Sequence, residues 1–177
     1  GSYFGNHPED VLPIAIRRLQ GSIDELRNVD NFVTLRPETM GKGAMLGSLE
    51  DTLIISQGID DVEPCLDFPH LHARTGDGSM NSYDEWMQIL DLYQSFLGSE
   101  ALLRTHIHLS GIAYGPKGEK EHLAIEDSDL DLAGILKALS NTGCQGRILC
   151  ESPILEQDAL LIKQKWGLIG EKEKNNR

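Results

Sequence analysis

The chain reads as an α/β protein of the (β/α)-barrel type, incomplete, with one helix followed by four strand–helix units. Two observations give this. Short β-branched runs alternate with apolar stripes at helical spacing, and the loops after strands are long and rich in His and Gly. Each expected strand also ends on a side chain with affinity for cations: Glu38 in RPETMGKG, Asp67 in CLDFPHLH, His108 in THIHLSG and Glu151 in ILCESP. Their separations of 29, 41 and 43 residues are each about one strand-plus-helix unit. A barrel of this type gathers a metal site at one rim in this way, one donor per strand end.

The elements follow in order. Residues 8–27 read as a helix, with Pro8 at its first position and Leu12, Ala15, Leu19, Ile23 and Leu26 on one face. FVTLRP (32–37) reads as a strand ending at Pro37, and Ser48 with Asp51 opens a helix that stops near Gly58. VEPCLDF (62–68) is the next strand, followed by a long polar loop to Asn81. Ser82 and Glu85 form a capping box ahead of the stripe Trp86, Ile89, Leu90 and Tyr93. LLRTHIHL (102–109) is a third strand, 110–128 a long loop, and Leu132, Ile135, Leu136 and Leu139 a helix capped near Ser128. GRILC (146–150) is the fourth strand, and Leu155, Ala159, Ile162 and Trp166 mark the last helix. One domain is expected over 1–168, with a charged, disordered tail over 169–177.

A complete eight-unit barrel takes about 250 residues, and at the least about 200. At 177 residues the chain is either an open α/β sheet or the C-terminal portion of such a barrel. In the second case it exposes sheet edges, and self-association through them is expected.

Composition narrows the function. A net charge of −12 argues against broad, nonspecific nucleic-acid binding, although each bound divalent ion would return two positive charges to the site. No apolar run approaches the ~20 residues that span a bilayer, so no membrane partner is expected. The opening GSYFGNHPED has neither the basic start nor the apolar stretch of a signal peptide, and a cytoplasmic address is expected. Three cysteines without CxxC spacing read as reduced thiols, with Cys65 as filler one layer beneath Asp67.

Two Glu, one Asp and one His are oxygen and nitrogen donors suited to zinc or manganese, and carboxylates can bridge two ions. Nearby lie His70, His72, His106, Glu119, Glu121 and His122. Taken singly, each has a structural explanation. Four donors that each terminate a strand favour a shared site.

These runs, with GPKGEKEH, resemble the endonuclease IV (deoxyribonuclease IV) family of the xylose-isomerase-like barrels, from about Tyr3 to Trp166. The resemblance is to the prokaryotic branch carrying the HLHARTG loop. It implies zinc-dependent cleavage of double-stranded DNA at abasic sites, with Glu38, Asp67, His108 and Glu151 as catalytic metal ligands. It also implies His70 and His122 as ligands of a further zinc, for two or three ions in all, with manganese as the alternative. Arg74, Lys117 and Lys120 stand where they would contact DNA phosphates. Two departures accompany it. The aspartate expected two places before His122 is Lys120 here, which leaves Glu119 or Glu121 of the same loop as the candidate substitute, and two further histidines belong to strands preceding this chain. The alternative is a divalent-metal sugar isomerase or epimerase of the same superfamily, which uses the same quartet for one ion.

Overall fold

Helix α1 (Pro8–Asn28) begins at a proline with Glu9 and Asp10 in its first turn, which complement the helix dipole. The computed structural model describes residues 1–175, with side chains through residue 170. Helix α2 (Leu49–Gln57) opens with a reciprocal capping box between Ser48 and Asp51. The Asp51 oxygen that takes the Ser48 N–H, Oδ2, also accepts from Gly47 N–H and from the Tyr3 hydroxyl. Burial and the Asp51 carboxylate together push the Tyr3 phenol up to about 12.

Strands β1 (Cys65–Asp67), β2 (Thr105–Leu109) and β5 (Gly146–Cys150) form a parallel sheet in the order β1-β2-β5. Residues 35–39 lie beside β1. Leu35 N donates to Asp61 O, Glu63 N to Leu35 O, Cys65 N to Pro37 O and Thr39 N to Cys65 O. Pro37 has no N–H, so a rung is missing, and the strand expected over 32–37 shrinks to isolated bridges at Leu35↔Val62 and Glu38↔Cys65. Phe32 and Val33 are exposed ahead of it. Two of the other three expected strands also start late. Residues 102–104 belong to a 3₁₀ turn, and Val62 makes only its single bridge.

Two expected loops contain regular structure. Helix α3 (Phe68–Arg74) follows β1 directly because Asp67 caps it, accepting from His70 N at 2.6 Å, with Pro69 in the first turn. Seven residues are too few for a helical stripe to show in sequence. Residues 110–128 hold an antiparallel hairpin of β3 (Gly111–Gly115) and β4 (Gly118–Leu123), with Gly118 at φ 95° in the turn. Its charged strand, GEKEHL, hides the alternation that marks a strand.

Helix α4 (Tyr83–Leu97) carries the expected Ser82–Glu85 capping box. Helix α5 (Leu132–Asn141) is capped by Asp131, not Ser128, whose hydroxyl accepts from Ile112 N instead. Helix α6 (Glu156–Asn175) continues through most of the stretch assigned to a tail from 169; residues 176–177 lie outside the described residues. No helix among the described residues is long and apolar enough to cross a membrane.

The core lies on one face of the sheet. Leu66, Ile107 and Leu109 pack with Phe68, Trp86, Leu90 and Tyr93 and with Ile135, Leu136 and Leu139 of α5. A smaller cluster joins α1 to α2 through Leu12, Ile23, Ile55, Ile59 and Val62. Among the described residues β5 has a strand partner on one side only, and Ile148 and Leu149 are exposed at 37% and 47%. Trp86 is fully buried and meets Phe68 edge-on at 5.6 Å. Trp86→Ala is expected to lower unfolding free energy by about 3–5 kcal/mol, read from urea midpoints.

Candidate metal centre

Parallel register sets the rim. Asp67 stands opposite His108 in β1 and β2, Glu38 bridges to Cys65, and Glu151 follows β5 with its N–H on Leu109 O. Ligand atoms of Glu38, Asp67, His108 and Glu151 all lie within 4.8 Å of one another. His108 Nδ1 is 3.5 Å from Glu38 Oε1, 3.8 Å from Asp67 Oδ2 and 3.3 Å from Glu151 Oε1. Three carboxylates and an imidazole thus converge on one point.

Burial decides how this group reads. Asp67 is 1% exposed and its Oδ2 has no hydrogen-bond partner; His108 Nδ1 is likewise buried without one. A buried carboxylate oxygen left unpaired costs about 1–3 kcal/mol or more unless a cation or proton meets it. The donor set therefore fits a divalent cation. Burial, with Glu38 and Glu151 nearby, pushes the Asp67 carboxyl up to about 8 against the pull of His70. Glu38 moves the other way: burial opposes its charge, but hydrogen bonding and attraction from His70 and His108 hold its carboxyl below the ordinary value.

A second group adjoins the first. His70, Glu119 and His122 also offer ligand atoms within 4.8 Å of one another. His70 Nδ1 meets Thr39 O at 2.9 Å and His122 Nδ1 meets Glu151 O at 3.1 Å. A carbonyl can only accept, so in each ring Nδ1 carries hydrogen and Nε2 faces inward. The two Nε2 atoms are 3.4 Å apart, and Glu119 Oε2 is 3.5 Å from that of His70. With Zn–N bonds of about 2.0–2.1 Å, two nitrogens on one tetrahedral zinc stand about 3.3–3.4 Å apart. Backbone carbonyls that fix the tautomer are the usual outer partners of such ligands. Burial disfavours charge on His70, yet the Glu38 hydrogen bond and the Asp67 and Glu119 charges raise it to about 9.

The hairpin settles which glutamate faces the site. Strict alternation back from His122 would bring Lys120 inward, where the resemblance expects an aspartate. A bulge between Ala113 and Tyr114 leaves Lys120 without an opposite residue, since Tyr114 pairs with Glu119 and Ala113 with Glu121. Glu119 and His122 thereby share the inner face, while Lys120 and Glu121 are exposed. Gly41 lets the parts approach: a Cβ there would stand 2.7 Å from Glu119 Cβ and 3.0 Å from His70 Cδ2, and Glu119 N donates to Gly41 O at 2.8 Å.

Other candidates fall elsewhere. His72 is saturated, with Nδ1 on Met80 O at 2.8 Å and Nε2 on Asp129 at 3.0 Å. Arg74 donates to the carbonyls of Met40, Lys42 and Met45, so its guanidinium braces the 40–47 loop. Lys117 and Lys120 are exposed on the hairpin. Thr39, fully buried, carries no functional signature in the sequence. Its hydroxyl accepts from Asp67 N at 2.8 Å and donates to Asp67 O at 3.2 Å, and its carbonyl orients His70.

Protons hold the places that cations would take. The Asp67 carboxyl and the His70 imidazole are both raised above their ordinary values, so loading there should release protons. Both groups lose their protons as pH rises through these raised values, so apparent affinity rises with pH and weakens on acidification. Calorimetric zinc titrations in buffers of different ionisation enthalpy will count the protons. Equal heats in all buffers would contradict this.

The chain matches, over residues 1–166, the family described as xylose isomerase-like TIM barrel. An uncharacterized protein of Methanocaldococcus jannaschii is 40% identical over 149 residues, covering 84% of this chain and 54% of that protein. A solved structure described as the crystal structure of AsfvAP:AG superposes with a TM-score of 0.51 at 13% identity, covering 74% of this chain and 50% of that one. At that identity the likeness concerns the fold alone. The chain spans about half the length of these relatives. Since the family match takes in all four strand ends and the hairpin, the chain belongs to the xylose isomerase-like TIM barrel family.

Proposed function

We propose that this chain carries the cation-binding rim of a cytoplasmic phosphodiesterase of the endonuclease IV type, which hydrolyses double-stranded DNA at abasic sites. The carrying observation is the second donor group, His70, Glu119 and His122, beside the quartet Glu38, Asp67, His108 and Glu151. A sugar isomerase or epimerase of the same superfamily would need the quartet alone.

Zinc, or manganese in its place, would supply Lewis acidity toward a phosphate oxygen and a nucleophile at neutral pH when bound. The protein's own part is positional. Thr39 and Glu151 carbonyls aim the two Nε2 atoms, the Asp67 backbone is pinned by Thr39, and Gly41 admits the hairpin. Of Arg74, Lys117 and Lys120, the two lysines are exposed on the hairpin beside the site and can meet phosphates. An abasic sugar has no base pair to break, so turning it toward the rim costs less than flipping a normal nucleotide.

The test has two readouts. Metal analysis should give more than one zinc per chain, with Glu151→Gln weakening one site and His122→Ala the other. A longer protein that adds the preceding strands with the two further histidines should nick an abasic duplex only with cation present, and Lys117→Ala with Lys120→Ala should reduce the salt dependence of binding by about two phosphate contacts. A single manganese indifferent to His122→Ala would favour the isomerase, and no cation-dependent nicking removes the reading. We also propose self-association through the open edge of β5. Sedimentation showing a monomer at all concentrations would contradict it.

A further inference from the structure

One residue layer beneath the rim, on the same face of the sheet, lie Cys65 and His106, opposite each other in β1 and β2. His106 and His108, two apart on one strand, point the same way. Their Nε2 atoms are 3.3 Å apart, their rings meet edge-on at 5.2 Å, and Cys65 with both histidines offers ligand atoms within 4.8 Å of one another. The nitrogen separation is again that of two ligands on one tetrahedral zinc, about 3.3–3.4 Å.

The thiol supports the same conclusion. Cys144 meets the Thr142 hydroxyl at 3.3 Å and Cys150 the Leu155 carbonyl at 3.7 Å. Cys65 is 3% exposed and its thiol has no hydrogen bond among the described residues, while His106 is half-exposed and gives access from solvent. A sulfur and two imidazoles select a thiophilic ion over manganese or magnesium, which prefer oxygen.

We infer that Cys65, His106 and His108 form an inner site, sharing His108 with the rim, for a thiophilic divalent cation of the zinc class. On loading, the Cys65 thiol proton leaves to solvent as the sulfur–metal bond forms. His108 presents Nδ1 to the rim and Nε2 to His106. A neutral imidazole has one lone pair to give, so the ring serves one site at a time, and filling the inner site draws His108 away from the rim. The inference does not depend on which reaction the rim supports.

Cobalt(II) provides the test, since thiolate coordination gives a near-ultraviolet charge-transfer band that carboxylate and imidazole ligands lack. Titrating the whole chain should produce that band in the native protein and in Cys144→Ser and Cys150→Ser. Cys65→Ser and Cys65→Ala should abolish it, with folding checked by circular dichroism. His106→Gln should raise the cobalt concentration for half-intensity by about tenfold or more. No band in the native protein, or an undiminished band in Cys65→Ser, overturns the inference. Visible d–d absorption without the near-ultraviolet band would leave the rim site standing and remove this one alone.

Discussion

Asp67 is the residue on which the site is built. Its backbone is clamped by the Thr39 hydroxyl on both sides, one carboxylate oxygen caps α3, and the other is buried without a hydrogen bond, 3.4 Å from His70 Nδ1. The cap places His70 one turn along, beside Glu38 at 3.2 Å. A single aspartate thus ends a strand, starts a helix and fixes the junction of the two donor groups. The cost of its unpaired oxygen is concentrated where a cation would remove it.

Parallel pairing does the rest. Because neighbouring strands run in register, residues far apart in sequence come to one height, and side chains two apart form successive layers on one face. The rim layer is rich in oxygen and the layer beneath it in sulfur and nitrogen. The opposite face is purely structural, given over to Leu66, Ile107 and the aromatic side chains of α3 and α4. Chemistry and cohesion are therefore divided between the two sides of one sheet.

Much of this was legible in the sequence. The strand-ending donors, the two capping boxes and the helical stripes each have a local signature, and the structure brings Glu38, Asp67, His108 and Glu151 to one point. What escaped depends on single backbone events. Helix α3 is too short to show a period, and the strand before β1 is cut by the missing N–H of Pro37. The orientation of Glu119 rests on a bulge, which no side-chain pattern announces. Thr39 and Gly41 act through a hydroxyl and through the absence of a side chain, so neither resembles a functional residue until its neighbours are in place.

The one-sided support of β5 makes the four arms of the rim unequal. Glu38 and Asp67 are tied to each other's segments by several backbone bonds, and His108 rises from a strand flanked on both sides. Glu151 follows the last strand, whose strand partner among the described residues is β2, with a cavity of about 370 Å³ between that strand and α6. The Glu151 carbonyl also steadies His122, so this one strand end supplies a carboxylate to the quartet and orients an imidazole of the second donor group.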